Sequence, residues 1–174
     1  MARFLVALAL FGVVAMTAAT GDAPKEWSGK PWLGKFVAEV TDKSENWEAF
    51  VDALGLPEQF GRAPVKTIQK IYKQGDHYHH IFALPDKNFE KDIEFTLGQE
   101  VEIKQGEHIA KTKYSEDGEK LVADVSIPTK GKTIRSEYEV QGDQLIKTYK
   151  TGDIVAKKWF KKVANPTEAP AQAA

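Results

Sequence analysis

Apolar and polar residues alternate through much of the second half of the chain. In Ile93–Leu97 the residues Ile, Phe and Leu fall on one face, and Glu and Thr on the other. The same alternation runs through Val101–Ile103, Leu121–Val125 and Ile134–Val140. A period of two residues is typical of β-strands that bury one face. We therefore predict that these segments are strands of an antiparallel sheet.

Turn-like glycines separate these segments. After the first interval they recur every 8–13 residues, which is the length of one strand and a tight turn. They are Gly75, Gly98, Gly106, Gly118, Gly131, Gly142 and Gly152. Consecutive hairpins leave exposed edges unless the sheet closes, so we expect an all-β barrel rather than an open sheet. A barrel of about eight to ten strands commonly encloses a cavity for one small ligand.

One segment has the periodicity of a helix. Between Ser44 and Gly55 the apolar residues stand at positions 47, 50, 51 and 54, which predicts an amphipathic helix. We expect Ser44 to cap its start and Gly55 to end it. A second short helix is predicted over Pro57–Gly61. A first strand over Gly34–Val40 precedes this helical pair, which we expect to cover the mouth of the barrel; the alternative is that it plugs the barrel as core.

The first 19 residues predict a secretory signal peptide. Arg3 is followed by the apolar run Phe4–Val14 and then by small residues up to Ala19, where cleavage is expected. The run is shorter than the roughly 20 residues of a membrane-spanning helix. A retained membrane anchor is the alternative. We therefore expect a secreted, extracellular protein.

The regions flanking the barrel have compositions of their own. Residues 20–33 predict an N-terminal arm interrupted by proline and glycine, whose Trp27 and Trp32 we expect to pack against the main body. Residues 164–174 are rich in Ala and Pro and predict a disordered tail. The barrel domain is assigned to residues 34–163.

Charge and residue usage exclude several functions. The chain has 24 basic and 25 acidic residues among 174, and this balance argues against a nucleic-acid partner and favours a monomer. It contains no cysteine and no nucleophile-elbow, Walker or HExxH motif, so we predict that it is not an enzyme. His77 and His79 share a strand face beside His80, but no third ligand stands at a recognised spacing. We therefore predict no metal and no cofactor.

Several segments resemble the fatty-acid-binding proteins. Gly34–Phe36 and Glu45–Gly55 (ENWEAFVDALG) resemble the family's opening, and Glu94–Glu100 (EFTLGQE) resembles one of its turns. Gly142–Tyr149 and Ala156–Lys162 are similar to its last two strands. The signal peptide and a lengthened gap after the opening motif resemble the secreted branch known from nematodes.

The resemblance implies both a fold and a function. The fold is a ten-stranded antiparallel up-and-down β-barrel with a helix-turn-helix lid between the first and second strands, as in the calycin superfamily. The function is reversible binding of long-chain fatty acids for transport or sequestration, with other small hydrophobic ligands such as retinoids as alternatives. The helical lid would also make transient contact with membranes. A different interpretation is an extracellular calycin-like interaction or inhibitor module whose cavity is incidental.

The resemblance also implies where a ligand carboxylate would bind. The family's Arg-x-Tyr/Phe element aligns with Lys158–Phe160, and its other arginine aligns with Tyr138. Lys147 aligns with an inward polar position two residues before Tyr149. We predict a carboxylate near Lys158 and Lys147, assisted by Tyr138 or Tyr149. Lysine keeps the charge of arginine but lacks its bidentate fork.

Alternatives to this assignment follow from strand geometry and residue type. The lysines are of a type usually found on the surface. Arg135 lies on the opposite face of a regular strand, and a bulge would bring it inward. The predicted lining of the cavity and lid, whose helical members are alternatively plain core, comprises Phe160, Trp47, Phe50, Val51 and Leu54.

Overall fold

The computed structural model describes residues 23–55, 65–105 and 108–166. The predicted signal peptide, the second short helix and most of the C-terminal tail lie outside these ranges, as does the turn glycine at position 106.

The described chain is built almost entirely of strands, with one α-helix. Short 3₁₀ turns occupy Pro85–Lys87 and Pro128–Lys130. In chain order the elements are β1 Lys25–Glu26, β2 Gly34–Ala38, β3 Ser44–Glu45, α1 Trp47–Leu54, β4 Thr67–Gln74, β5 His77–Leu84, β6 Phe89–Phe95, β7 Glu100–Gln105, β8 His108–Asp117, β9 Lys120–Ile127, β10 Lys132–Gln141, β11 Gln144–Thr151 and β12 Ile154–Val163.

Ten of these strands form one antiparallel path in the order β6-β5-β4-β2-β12-β11-β10-β9-β8-β7. Pairing of β2 with β12 joins the first long strand to the last, which bends the meander round into a barrel. The short strands β1 and β3 extend the sheet by pairing with β4 and β12. The all-β antiparallel barrel predicted from the alternation is confirmed.

The barrel is not fully closed: β6 and β7, the two ends of the path, form no ladder among the described pairings. The turn between β6 and β7 is hydrogen-bonded to another strand instead. Its Gly98 N–H donates to the Tyr114 carbonyl of β8 at 2.7 Å. Because the Gly98 N–H is already bonded to β8, it is not available for a hairpin ladder between β6 and β7.

Most of the apolar core lies at one end of the barrel. Trp32 and Leu33, which belong to the predicted arm, are fully buried in it. Trp27 packs outside the sheet on Tyr72, with ring centroids 4.8 Å apart. The core at this end contains Trp32, Leu33, Phe36, Ala38, Ile71, Phe95, Tyr114, Leu121, Ala123, Tyr138, Leu145 and Phe160.

The helix starts later than predicted. Ser44 and Glu45 pair with Lys158 and Lys157 of β12, so their backbone belongs to the sheet and Ser44 cannot cap a helix. Asn46 makes the corner instead, in the left-handed region at φ 53° and without a side-chain cap. The predicted end is confirmed. Gly55 adopts φ 58° and its N–H donates to the Asp52 carbonyl at 3.0 Å.

The helix closes the other end of the barrel. Phe50 and Leu54 are buried in a second cluster with Tyr149 and Ala156 of the last two strands. Trp47, Ile134 and Ile154 pack around this cluster. In the described part of the chain no helix is both long and apolar enough to cross a bilayer.

Candidate functional site

Three of the predicted ligand residues form one row across neighbouring strands. Tyr138 of β10 stands directly opposite Lys147 of β11, which stands opposite Lys158 of β12. Alternation on β11 points Lys147 inward together with Leu145 and Tyr149. Leu145 belongs to the core at one end and Tyr149 to the cluster under the helix. Lys147 therefore lies between the two apolar clusters, and Tyr138 beside it belongs to the first of them.

Lys147 is a buried cation held between aromatic rings. Only 8% of it is exposed, and its Nζ lies 4.4 Å from the ring centroid of Tyr138 and 4.7 Å from that of Tyr149. Among the residues that the structure describes, no Asp or Glu is buried. Burial, with a smaller contribution from the charge of Lys158, lowers the pKa of Lys147 to about 7. The site thus holds a positive charge that no buried acidic side chain of the described residues compensates.

Lys158 lies at the edge of the same interior. Its Nζ lies 3.7 Å from the ring centroid of Trp47 on the helix, and Trp47 in turn packs on Tyr149 at 5.2 Å. Burial lowers the pKa of Lys158 to about 8. Lys158, Trp47 and Thr67 line a half-open cavity of about 570 Å³ at the helix end of the barrel, together with the acidic residues Glu39, Asp42 and Glu48. Lys158 therefore borders the cavity, whereas Lys147, directly opposite it on β11, is not among the residues that line this cavity.

A neutral histidine stands deeper in the barrel. His80 Nε2 lies 2.5 Å from Gln69 Oε1, and His80 Nδ1 lies 3.0 Å from the Tyr114 hydroxyl. Burial, assisted by the charge of Lys147, holds the pKa of His80 well below its usual value. Because the Gln69 oxygen can only accept, Nε2–H is the donor to it, and Nδ1 accepts from Tyr114.

Four buried side-chain polar atoms of the described residues have no hydrogen-bond partner, and two of them, besides the indole nitrogens of Trp27 and Trp32, lie on Gln69 and Thr112. The Gln69 amide nitrogen and the Thr112 hydroxyl are fully buried and form no hydrogen bond within the described chain. Buried polar groups are normally hydrogen-bonded, so the Gln69 amide and the Thr112 hydroxyl can each bind a polar ligand atom or a water.

The sequence alone does not identify His80 as an inward residue, because alternation leaves the inward face of β5 ambiguous. Counting through the two-residue turn after Gln74 pairs Ile71 with His80, and this would have placed His80 inside.

Arg135 lies outside the barrel. Its side chain is 43% exposed and forms ion pairs with Asp124 at 3.2 Å and Glu137 at 3.3 Å. The β10–β11 register runs without interruption from Arg135, so no bulge turns it inward. The structure does not bring Arg135 together with the two lysines.

The predicted lining residues fall into three positions. Trp47 borders the cavity. Phe50, Val51 and Leu54 form the buried face of the helix. Phe160 is 1% exposed and belongs to the core at the opposite end.

The histidine triplet divides between the two faces of β5. His77 and His79 face outward, where His79 Nδ1 lies 3.2 Å from Asp92 Oδ1 and His77 Nδ1 lies 3.1 Å from Thr96 Oγ1. No group of three or more potential metal ligands occurs in residues 23–55, 65–105 and 108–166.

Comparison with known proteins places this barrel in a family. No family model matches the chain. Secretory-abundant heat soluble protein 33020 of a Hypsibius tardigrade is 82% identical over 166 residues, covering 95% of this chain and 99% of that protein. The chain belongs to the secretory-abundant heat soluble family. A second member, protein 1 of Ramazzottius varieornatus, is 49% identical and covers 93% of this chain and 98% of its own.

A solved structure of a secretory-abundant heat soluble protein shares the fold. That protein of Ramazzottius varieornatus, crystallised from a dimer sample, superposes with a TM-score of 0.76 at 48% identity, over 79% of this chain and 99% of its own. The liver fatty acid-binding protein of Bos taurus is 35% identical and covers 75% of this chain and 97% of its own. The resemblance to fatty-acid-binding proteins is therefore confirmed at the level of the superfamily. The nematode branch is wrong, because the relatives that match nearly the whole chain are tardigrade proteins.

Proposed function

We propose that this member of the secretory-abundant heat soluble family is a secreted carrier that reversibly binds long-chain fatty acids inside the barrel. The carboxylate would lie at Lys147 and Lys158, with Tyr138 and Tyr149 beside it. The supporting observation is that two lysines stand directly opposite each other on the inner face of the sheet with no buried acidic partner among the described residues. We propose a binding protein rather than an enzyme.

The electrostatics of this pair favour an anion. Like charges directly opposite on neighbouring strands destabilise a sheet, and burial disfavours each ammonium further. A carboxylate between them offsets both costs, since a hydrogen bond to a charged group contributes about 1.5–3 kcal/mol. Lysine meets an anion as a point charge, so the headgroup would be held less rigidly than by an arginine fork.

The acyl chain would supply most of the affinity. Each methylene moved from water into an apolar interior contributes about 0.8 kcal/mol. The cavity beside Trp47 borders Lys158, and the ligand would enter the barrel from there toward Lys147. The helix that forms one wall of this cavity packs on β11 and β12, and its movement would gate exchange. Transient membrane contact through the helix and a monomeric state stay predictions.

Secretion is supported by two independent observations. Residues 1–19 carry the three-part pattern of a signal peptide, and the relatives that match nearly the whole chain are named secretory-abundant proteins. The fatty-acid ligand is supported by the liver fatty acid-binding protein of Bos taurus, which is 35% identical to this chain.

The first test is direct detection of lipid. Native mass spectrometry of the mature protein should show bound fatty acid after incubation with oleate, and oleate should displace a fluorescent fatty acid saturably. Absence of both would remove the carrier function and favour the interaction-module alternative.

The second test asks whether the lysines hold the carboxylate. Lys158→Ala should weaken oleate binding about 10–100-fold, the loss of one charge-assisted hydrogen bond, and should weaken oleyl alcohol far less. Arg135→Ala is the matched control, because Arg135 lies outside the barrel and should leave both affinities unchanged. Equal losses for acid and alcohol would show that Lys158 does not bind the headgroup.

A further inference from the structure

We propose that Lys147 also forms a Schiff base with long-chain aldehydes, so that the protein captures lipid aldehydes covalently in addition to carrying fatty acids. The inference rests on the proposed function, because the aldehyde must enter the same interior. It concerns stoichiometric capture, not turnover.

The surroundings of Lys147 favour the reactive form of its amine. Its side chain lies between the rings of Tyr138 and Tyr149, and Lys158 stands directly opposite it in the ladder. A desolvated lysine beside another cationic group is an activated amine nucleophile. The lowered pKa of Lys147, about 7, agrees with this geometry.

Within the described chain, no other group facing Lys147 supplies a negative charge near neutral pH. Lys158 on β12 is cationic or neutral. His80 on β5 is neutral because burial lowers its pKa. Tyr138 on β10 and Tyr149 on β11 stay protonated because burial raises the pKa of each hydroxyl. Of these groups, only Lys158 affects the pKa of Lys147, and burial contributes the larger part of the shift.

The covalent step needs no oxidant or reductant. The amine nitrogen of Lys147 bonds to the aldehyde carbon, giving a carbinolamine. The former carbonyl oxygen then leaves as water with both amine protons, and a carbon–nitrogen double bond remains. Lys158, directly opposite, is positioned on the same face to protonate the departing oxygen and to take a proton back. Hydrolysis reverses the reaction.

The matching ligand is a long-chain aldehyde rather than a small one. The amine of Lys147 is buried, and its inward neighbours on β11, Leu145 and Tyr149, belong to the two apolar clusters. Burial of an acyl chain there raises the local concentration of the carbonyl at Lys147. A short aldehyde lacks this contribution.

The test traps the imine in the mature wild-type protein. Hexadecanal and cyanoborohydride at pH 7 should add one group whose mass equals that of the aldehyde less one oxygen atom, and peptide mapping should assign it to Lys147. Exposed Lys113, Lys132 and Lys161 serve as internal controls. Lys147 should react at least about 30-fold faster than these, because far more of its amine is neutral at pH 7 than that of an ordinary lysine.

Two further measurements keep the assignment secure. Saturating oleate should block modification of Lys147 and leave that of Lys113 unchanged, which needs no mutant. The rate at Lys147 should rise with a midpoint near pH 7, and Lys158→Met should move that midpoint upward. Modification spread evenly over the exposed lysines, preferred modification of Lys158, or a midpoint near that of an ordinary lysine would overturn the inference.

The same preparation separates this inference from the proposed function. Saturable fatty-acid binding without modification of Lys147 refutes aldehyde capture and leaves the carrier. Modification of Lys147 without fatty-acid binding refutes the carrier and supports an aldehyde trap.

Discussion

Replacing Lys147 by methionine should stabilise the protein while weakening its binding of fatty acids. Methionine has a similar length and no charge, so it fills the space between Tyr138 and Tyr149 without a desolvation cost. The lowering of the Lys147 pKa from 10.5 to about 7 means that the folded protein disfavours the charged form of Lys147 by about 5 kcal/mol. Lost cation–π contacts oppose this by about 0.5–2 kcal/mol each. We expect a net gain of about 1–4 kcal/mol, as for other buried charges replaced by apolar groups.

The pH dependence gives the sharper signature of Lys147→Met. The unfolded chain keeps this lysine protonated up to its ordinary pKa of 10.5, whereas the folded chain releases the proton near pH 7. Between these values the unfolded state binds more protons, so the free energy of unfolding of the wild type rises with pH. The advantage of the variant should therefore be largest at pH 7 and below, and should shrink toward pH 10.

Urea denaturation followed by circular dichroism at pH 6, 7.5 and 9 measures the gain in the free energy of unfolding and its dependence on pH. Lys150→Met is the matched control on the same strand, because Lys150 lies outside and forms an ion pair with Glu137 at 2.7 Å. Its loss should cost about 0–1 kcal/mol. A Lys147→Met variant no more stable than wild type at pH 6, or an advantage that does not shrink with pH, would refute a buried, uncompensated lysine.

The remaining predictions concern ligand affinity, the buried histidine and the helix end. A bound carboxylate raises the Lys147 pKa from about 7, so binding takes up a proton above that pH and oleate affinity should fall from pH 7 to 9; a calorimetric titration showing equal affinities would contradict this. His80→Leu leaves Gln69 and Tyr114 without their buried partner and should lower the free energy of unfolding by about 1–3 kcal/mol for each group left unpaired; unchanged stability in urea would count against the network. Gly55→Ala should cost about 1 kcal/mol, since Gly55 adopts φ 58° at the helix end with open space around it; a thermal melt unchanged from wild type would argue that the left-handed turn is absent.

Much of the fold is encoded locally. Alternation on β11 points Lys147 to the same face as Leu145, and the structure keeps that face inward. The end of the helix at Gly55 was also predictable, because a left-handed residue after an apolar helical repeat favours glycine. The positions of Lys147 and Lys158 follow from the resemblance in the last two strands, where short turns fix the register.

Other features depend on pairing between residues far apart in the chain. Ser44 has the local signature of a helix cap, but β12 takes its backbone into the sheet. Trp32 stands in a segment with no periodicity and still fills the core. The inward face of β5 depends on a nearer pairing: both faces carry apolar residues, and the pairing of His80 with Ile71 across the short turn after Gln74 decides that the histidine lies inside.

Local patterns in the chain are enough to tell which segments form strands and where the helix ends, and the resemblance in the last two strands adds the positions of Lys147 and Lys158. Closure of the sheet through β2 and β12 decides what those faces enclose. Alternation depends only on residues that are neighbours in sequence. Which face of the sheet is enclosed, and which groups surround a buried charge, depends on pairing between strands more than a hundred residues apart. The burial of Lys147 without a buried acidic partner in the described part of the chain is therefore a consequence of the tertiary structure.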